Sequence, residues 1–147
     1  MKYYVIEPEV AGGLGERTVI DRSSGRIEVK KLHYHFDGWL GDELLESTPC
    51  FIVSTRLANE IENQKYTGVM FSDAEITTSD EFNDLHENLK LPDFLWLKVF
   101  GVAGKDDFGM SSELNLVVSE PALQLLKQIG ISHAASIREV ISGVRLD

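Results

Sequence analysis

The sequence predicts an α+β fold, a single domain over 1–147 with a mixed or antiparallel sheet, two strand–helix–strand units and an N-terminal hairpin. Three observations lead there. Short runs rich in β-branched and aromatic residues, bounded by Gly, Ser, Asp and Pro, greatly outnumber the segments of helical period. One strand–helix–strand scheme occurs twice, at an offset of 65 residues that pairs Ser54 with Ser119 and Ile61 with Leu126. No linker or low-complexity stretch divides the chain.

Tyr3 to Ile6 reads as the first strand, and Pro8 to Gly15, with Gly12, Gly13 and Gly15, as a flexible loop. Thr18–Ile20 and Arg26–Phe36 are β-rich runs separated by Arg22-Ser23-Ser24-Gly25, which suits a hairpin turn with Gly25 at positive φ. From Leu32 the second run alternates: Leu32, Tyr34 and Phe36 share one face, His33 and His35 the other. Ile27 and Val29 fall out of phase with that set, so a bulge is expected near Lys30-Lys31. Phe51–Val53 reads as a buried strand ending at the N-cap residue Ser54; Leu57, Ala58 and Ile61 follow at helical spacing, then a strand from Val69 to Ile76. Ser79–Asn88 predicts a short acidic helix burying Phe82, Leu85 and Leu89, stopped by Leu91-Pro92-Asp93. Phe94–Phe100 is apolar on both faces, as a central strand is, and Gly101–Glu113 reads as a loop. Leu116–Ser119 repeats the strand and cap, Pro121 occupies the first helical turn, Gly130 ends the helix, and Ala134–Ile141 supplies the return strand.

A chain of 147 residues with 43% hydrophobic and 26% charged residues is large enough to bury a core without a staple. Cys50 is the lone cysteine, so the chain forms no internal disulfide. Neither a secretory signal nor an apolar run of membrane-spanning length is present, which points to the cytoplasm. The net charge of −10 argues against nucleic acid as a ligand, because phosphate binding needs clustered Lys and Arg. The acidity is concentrated: no basic residue falls between Lys31 and Arg56, where Asp37, Asp42, Glu43 and Glu46 lie, nor between Lys65 and Lys90. Such stretches are either a solvated surface or a face that attracts a basic protein.

Motifs for catalysis are sparse. His33-x-His35 with Asp37 is the best metal-like cluster, but it lacks the further ligands of a cupin-type site, and no metal or cofactor is expected there. Asp107-Phe108-Gly109 spells the magnesium-binding tripeptide of protein kinases without that fold's glycine-rich or catalytic loops, so it reads as a turn. Gly12-Gly13-x-Gly15 lacks the Gly-Lys-Ser/Thr ending of a phosphate loop. Cys50 opens an apolar strand, the setting of a buried thiol rather than a nucleophile, and no Gly-x-Ser-x-Gly elbow accompanies the four histidines.

Three segments, Trp39-Leu40-Gly41-Asp42-Glu43-Leu44-Leu45-Glu46-Ser47-Thr48-Pro49-Cys50-Phe51-Ile52-Val53-Ser54, Leu91-Pro92-Asp93-Phe94-Leu95-Trp96-Leu97, and Asp106-Asp107-Phe108-Gly109 with Leu116-Val117-Val118-Ser119, resemble a group of bacterial proteins that includes immunity proteins of polymorphic toxin systems. The resemblance covers about residues 37–141 and implies a non-catalytic protein that binds and neutralises a cognate toxin, with no catalytic residues to carry over. The expected partner is a protein, a basic toxin domain on this reading, rather than nucleic acid or membrane. The surfaces expected to meet it are Asp37, Trp39, Asp42, Glu43 and Glu46, and the loop carrying Asp106 and Asp107. The alternative is a small enzyme or ligand-binding domain with a pocket around His33, His35 and Cys50.

Overall fold

A computed structural model describes residues 1–141. Strand β1 (Tyr3–Glu7) leads to β2 (Gly12–Leu14), the hairpin β3 (Val19–Asp21) and β4 (Glu28–Lys31), and β5 (His33–Phe36). Then come β6 (Leu44–Ser47), β7 (Cys50–Ser54), helix α1 (Thr55–Asn63), β8 (Val69–Ser72), β9 (Glu75–Thr78), α2 (Asp80–Leu85) and β10 (Phe94–Val99). The last described elements are β11 (Phe108–Met110), β12 (Leu116–Ser119), α3 (Glu120–Ile129) and β13 (Ser136–Glu139).

The strands form two four-stranded antiparallel sheets, ordered β6-β7-β10-β8 and β11-β12-β1-β13, a three-stranded sheet β2-β5-β9 in which β5 and β9 are parallel, and the β3–β4 hairpin. The α+β class and both strand–helix–strand units stand as expected. The internal echo also extends beyond those units. Position for position, β6 matches β11, β7 matches β12 and β8 matches β13, while the place of β10 in one sheet is taken in the other by β1. One sheet therefore draws its third strand from later in the chain, and the other draws it from the N-terminal segment.

Two apolar clusters make the core. Phe51 and Val53 of β7 and Leu97 of β10 face α1, α3 and the β1–β12 sheet, while Cys50, Ile52, Phe94 and Trp96 face Tyr34 and Phe36 on β5 and Leu32 just before it. The two-sided burial of β7 and β10 is what their unbroken apolar runs require. It joins both clusters into one domain.

Several elements depart from the sequence reading. The Pro8–Gly15 loop contains β2, because Gly12 pairs with Phe36 so closely that a Cβ there would lie 1.9 Å from the His35 carbonyl oxygen. The Gly101–Glu113 loop contains β11, which pairs Phe108 with Val118. The strand expected over Val69–Ile76 is two: β8 pairs antiparallel with β10, and after Asp73-Ala74 β9 pairs parallel with β5. Helix α2 ends at Leu85 and buries only Phe82, leaving Leu85 and Leu89 exposed. The expected bulge is present as a register shift between Val19/Lys31 and Ile20/Val29.

Candidate functional site

The two N-cap serines organise the acidic residues picked out from the sequence. Ser54 Oγ accepts the Leu57 amide (3.1 Å) and donates to Glu43 Oε1 (2.7 Å); Ser119 Oγ accepts the Ala122 amide (3.3 Å) and donates to Asp107 Oδ1 (2.8 Å). The backbones match as well: the Ser54 amide donates to the Glu43 carbonyl (2.9 Å) and the Ser119 amide to the Asp107 carbonyl (2.8 Å). Each acidic residue is also bonded to the other unit, Glu43 through its backbone and Asp107 through its carboxylate. The Glu43 amide donates to the Gly130 carbonyl beyond α3 (2.9 Å), while the Asp107 carboxylate accepts the Thr67 amide beyond α1 (2.9 Å). Glu43 is also ion-paired with Arg56. Burial pushes the Glu43 carboxyl up, but the hydrogen bonds from Arg56 and Ser54 outweigh it and hold the group below its ordinary range.

The other residues of the acidic turn differ in exposure. Asp37 is exposed and Trp39 half-buried, its ring edge-on to Phe94 and its Nε1–H donating to the Asp42 carbonyl (2.9 Å). Asp42 is only 1% exposed; its carboxylate accepts the His133 amide (2.8 Å) and lies 3.0 Å from His133 Nδ1. Glu46 is half-buried, and burial followed by the charge of Glu7 raises its carboxyl. Asp106 turns back onto its own loop, accepting the Val102 amide (2.7 Å). Asp42, Glu43 and Asp107 are thus engaged within the chain, and Asp37 is the acidic residue of this set that is exposed.

A surface that the sequence reading missed adjoins Asp37. A string of ring contacts runs Trp39–Phe94–Phe36–Phe82–His86, placing the Asp37–Leu40 turn and α2 over one aromatic cluster. With Phe82 turned inward, Glu81, Asp84 and Leu85 share the outer side of α2. Leu85 is 72% and Leu40 67% exposed. The signal in the sequence is the acidic composition of Ser79–Asn88, while the helical spacing of Leu85 from Phe82 points it to the core.

On the opposite face of β5, His33 and His35 line a cavity of about 440 Å³ with Glu16, Arg17 and Thr77. The Arg17 amide donates to His33 Nδ1 (3.2 Å), so the proton of the neutral ring sits on Nε2 and is donated to Thr77 Oγ1 (2.6 Å); Thr77 Oγ1 is also hydrogen-bonded with His35 Nδ1 (2.7 Å). Burial pushes the His33 imidazole down, which favours this neutral form. Gly15 closes on the ring so tightly that a Cβ would lie 2.1 Å from His33 Nδ1. Cys50 is not part of this cavity. It faces the aromatic cluster on the other side of β5, 3% exposed, with its thiol pushed up to about 11 by burial, so the pocket expected around His33, His35 and Cys50 is divided by the sheet. No helix among the described residues is long and apolar enough to cross a membrane. Comparison with protein-family models and with curated proteins finds no match to this chain.

Proposed function

We propose that this chain is a non-catalytic protein-binding domain of the bacterial immunity kind, binding and neutralising a basic toxin domain in the cytoplasm of the cell that makes both. The observation that carries the reading is that the Asp37–Leu40 turn and α2, two segments packed on one aromatic cluster, both carry an exposed leucine, Leu40 and Leu85, together with exposed Asp37, Asp80, Glu81 and Asp84. Exposed apolar side chains rimmed by one sign of charge are what a partner of opposite charge buries, and the net charge of −10 steers it there. The resemblance of residues 37–141 to immunity proteins points the same way.

The test is co-expression with the toxin domain encoded beside this protein. Asp37→Lys/Glu81→Lys/Asp84→Lys and Leu40→Ser/Leu85→Ser should leave the melting temperature nearly unchanged, since all five side chains are exposed. Both variants should weaken the complex by at least about tenfold and abolish protection of the host. An unaltered complex at low salt, where steering is strongest, refutes this surface.

A second reading rests on the His33–Thr77–His35 chain, whose linked imidazoles line a cavity with Glu16 and Arg17 and suit a small ligand or a proton-transfer step. His35→Ala separates the two: it leaves toxin protection intact if the chain acts by protein binding.

A further inference from the structure

Glu9 and Asp42 are 5% and 1% exposed, and their side chains make no hydrogen bond to a lysine or arginine among the described residues. Buried carboxylates are ordinarily paired with a cation or bound to a metal. His133 is the third member of this group: one ligand atom from each of Glu9, Asp42 and His133 lies within 4.8 Å of the other two. We propose that these three side chains bind a divalent transition-metal ion of the zinc class.

The donor set is two carboxylate oxygens and one imidazole nitrogen, which suits a borderline ion better than calcium or magnesium. Ligand atoms around such an ion at about 2.1 Å stand roughly 3.0–3.4 Å apart. The 3.0 Å between His133 Nδ1 and Asp42 Oδ1 falls in that range, and Glu9, with an oxygen within 4.8 Å of both, closes the set by moving inward. His133 lies at the solvent edge with its side chain 43% exposed, so water has access to complete a tetrahedral shell.

The surroundings orient the ligands towards one another before an ion arrives. Glu9 Oε2 accepts the Leu40 amide (2.7 Å) and Oε1 the Asp42 amide (3.2 Å), while the Glu9 carbonyl accepts the Glu46 amide (2.9 Å). Trp39 Nε1 secures the Asp42 carbonyl, and Asp42 Oδ2 secures the His133 amide. These backbone and indole donors are the outer-shell partners that orient metal ligands. Without an ion, His133 and Asp42 make an ordinary hydrogen bond and Glu9 is left facing Asp42 with no cation. With one, a single charge answers both carboxylates and ties three segments remote in sequence. The site is separate from His33 and His35, which are committed to Thr77.

The experiment is a calorimetric titration of the chelator-treated full chain with zinc chloride, followed by elemental analysis after gel filtration. One equivalent is expected to bind and to raise the melting temperature. His133→Ala should weaken zinc binding at least about 100-fold. It should leave the metal-free melt close to wild type, because the imidazole is partly exposed and the backbone bond to Asp42 remains. Glu9→Gln, which keeps the side-chain shape, should also weaken zinc binding, and His35→Ala should not. Absence of binding at about 100 μM zinc, equal binding by wild type and His133→Ala, or loss of binding in His35→Ala instead would each overturn the proposal.

Discussion

Ser54→Ala tests whether the serine–carboxylate latch holds α1 to the sheet. Ser54 is 1% and Leu57 0% exposed, so removing Oγ leaves the Leu57 amide without its acceptor in a place water does not reach. Loss of the cap costs about 1 kcal/mol, and the donor taken from the charged Glu43 adds about another 1 kcal/mol, since Arg56 still pairs with that carboxylate. About 2 kcal/mol lowers the melting temperature of a chain this size by roughly 6 °C. The effect should also depend on pH. Glu43 titrates below its ordinary value of 4.5 in the folded protein, so its contribution is complete above that value and is lost as the pH falls through the folded one. Urea unfolding of wild type and Ser54→Ala at pH 7 and at progressively lower pH should therefore show a gap that narrows on acidification. A gap under about 0.5 kcal/mol at pH 7, or one that does not narrow, refutes the account. Ser119→Ala, which disrupts the matching latch to Asp107, should cost a similar amount.

Two further outcomes are expected. Cys50, 3% exposed and with its thiol pushed up to about 11, should resist iodoacetamide at pH 8 in the folded protein and react after denaturation; labelling at the rate of a free thiol would show that the strand end opens. Because His33 is held neutral by burial, below its ordinary value of 6.5, the unfolded chain takes up its proton first as the pH drops; stability should fall as the pH goes from 6.5 towards the folded value. Thermal melts across that interval should show a smaller slope for His33→Gln, and an unchanged slope would assign the pH dependence elsewhere.

The elements legible in the sequence are those whose signal is local. Ser54, Ser119 and Gly130 mark helix ends through their own local chemistry, and all three cap helices in the structure. The apolar face of β5 and of Leu32 before it follows from alternation: Leu32, Tyr34 and Phe36 are fully buried. What escaped depends on partners remote in the chain. The strand at Gly12–Leu14 exists because Phe36 offers its backbone, and nothing in a glycine-rich run announces that. Leu85 has the spacing of a buried residue, but α2 stops too soon to turn it inward. Asp42 read as a surface carboxylate among its acidic neighbours; its burial is set by Glu9 and His133, which lie 33 and 91 residues away. The relay through Thr77 was hidden for the same reason, since it stands 44 residues from His33.

The exchange of β1 for β10 sets an order of assembly. The sheet built on β6, β7, β8 and β10 draws all its strands from residues 44–99 and closes over short stretches of chain. The other must bring Tyr3–Ile6 against Leu116–Ser119, so β1 is made first and paired late. During synthesis that strand waits, with its hydrogen-bonding edge unclaimed, until more than a hundred further residues have followed it. Closing so long a loop is slow, and a nascent chain halted before β12 presents an open edge for another chain to occupy. The half that folds early therefore sets the scaffold, and the half that folds late sets the risk of misassembly.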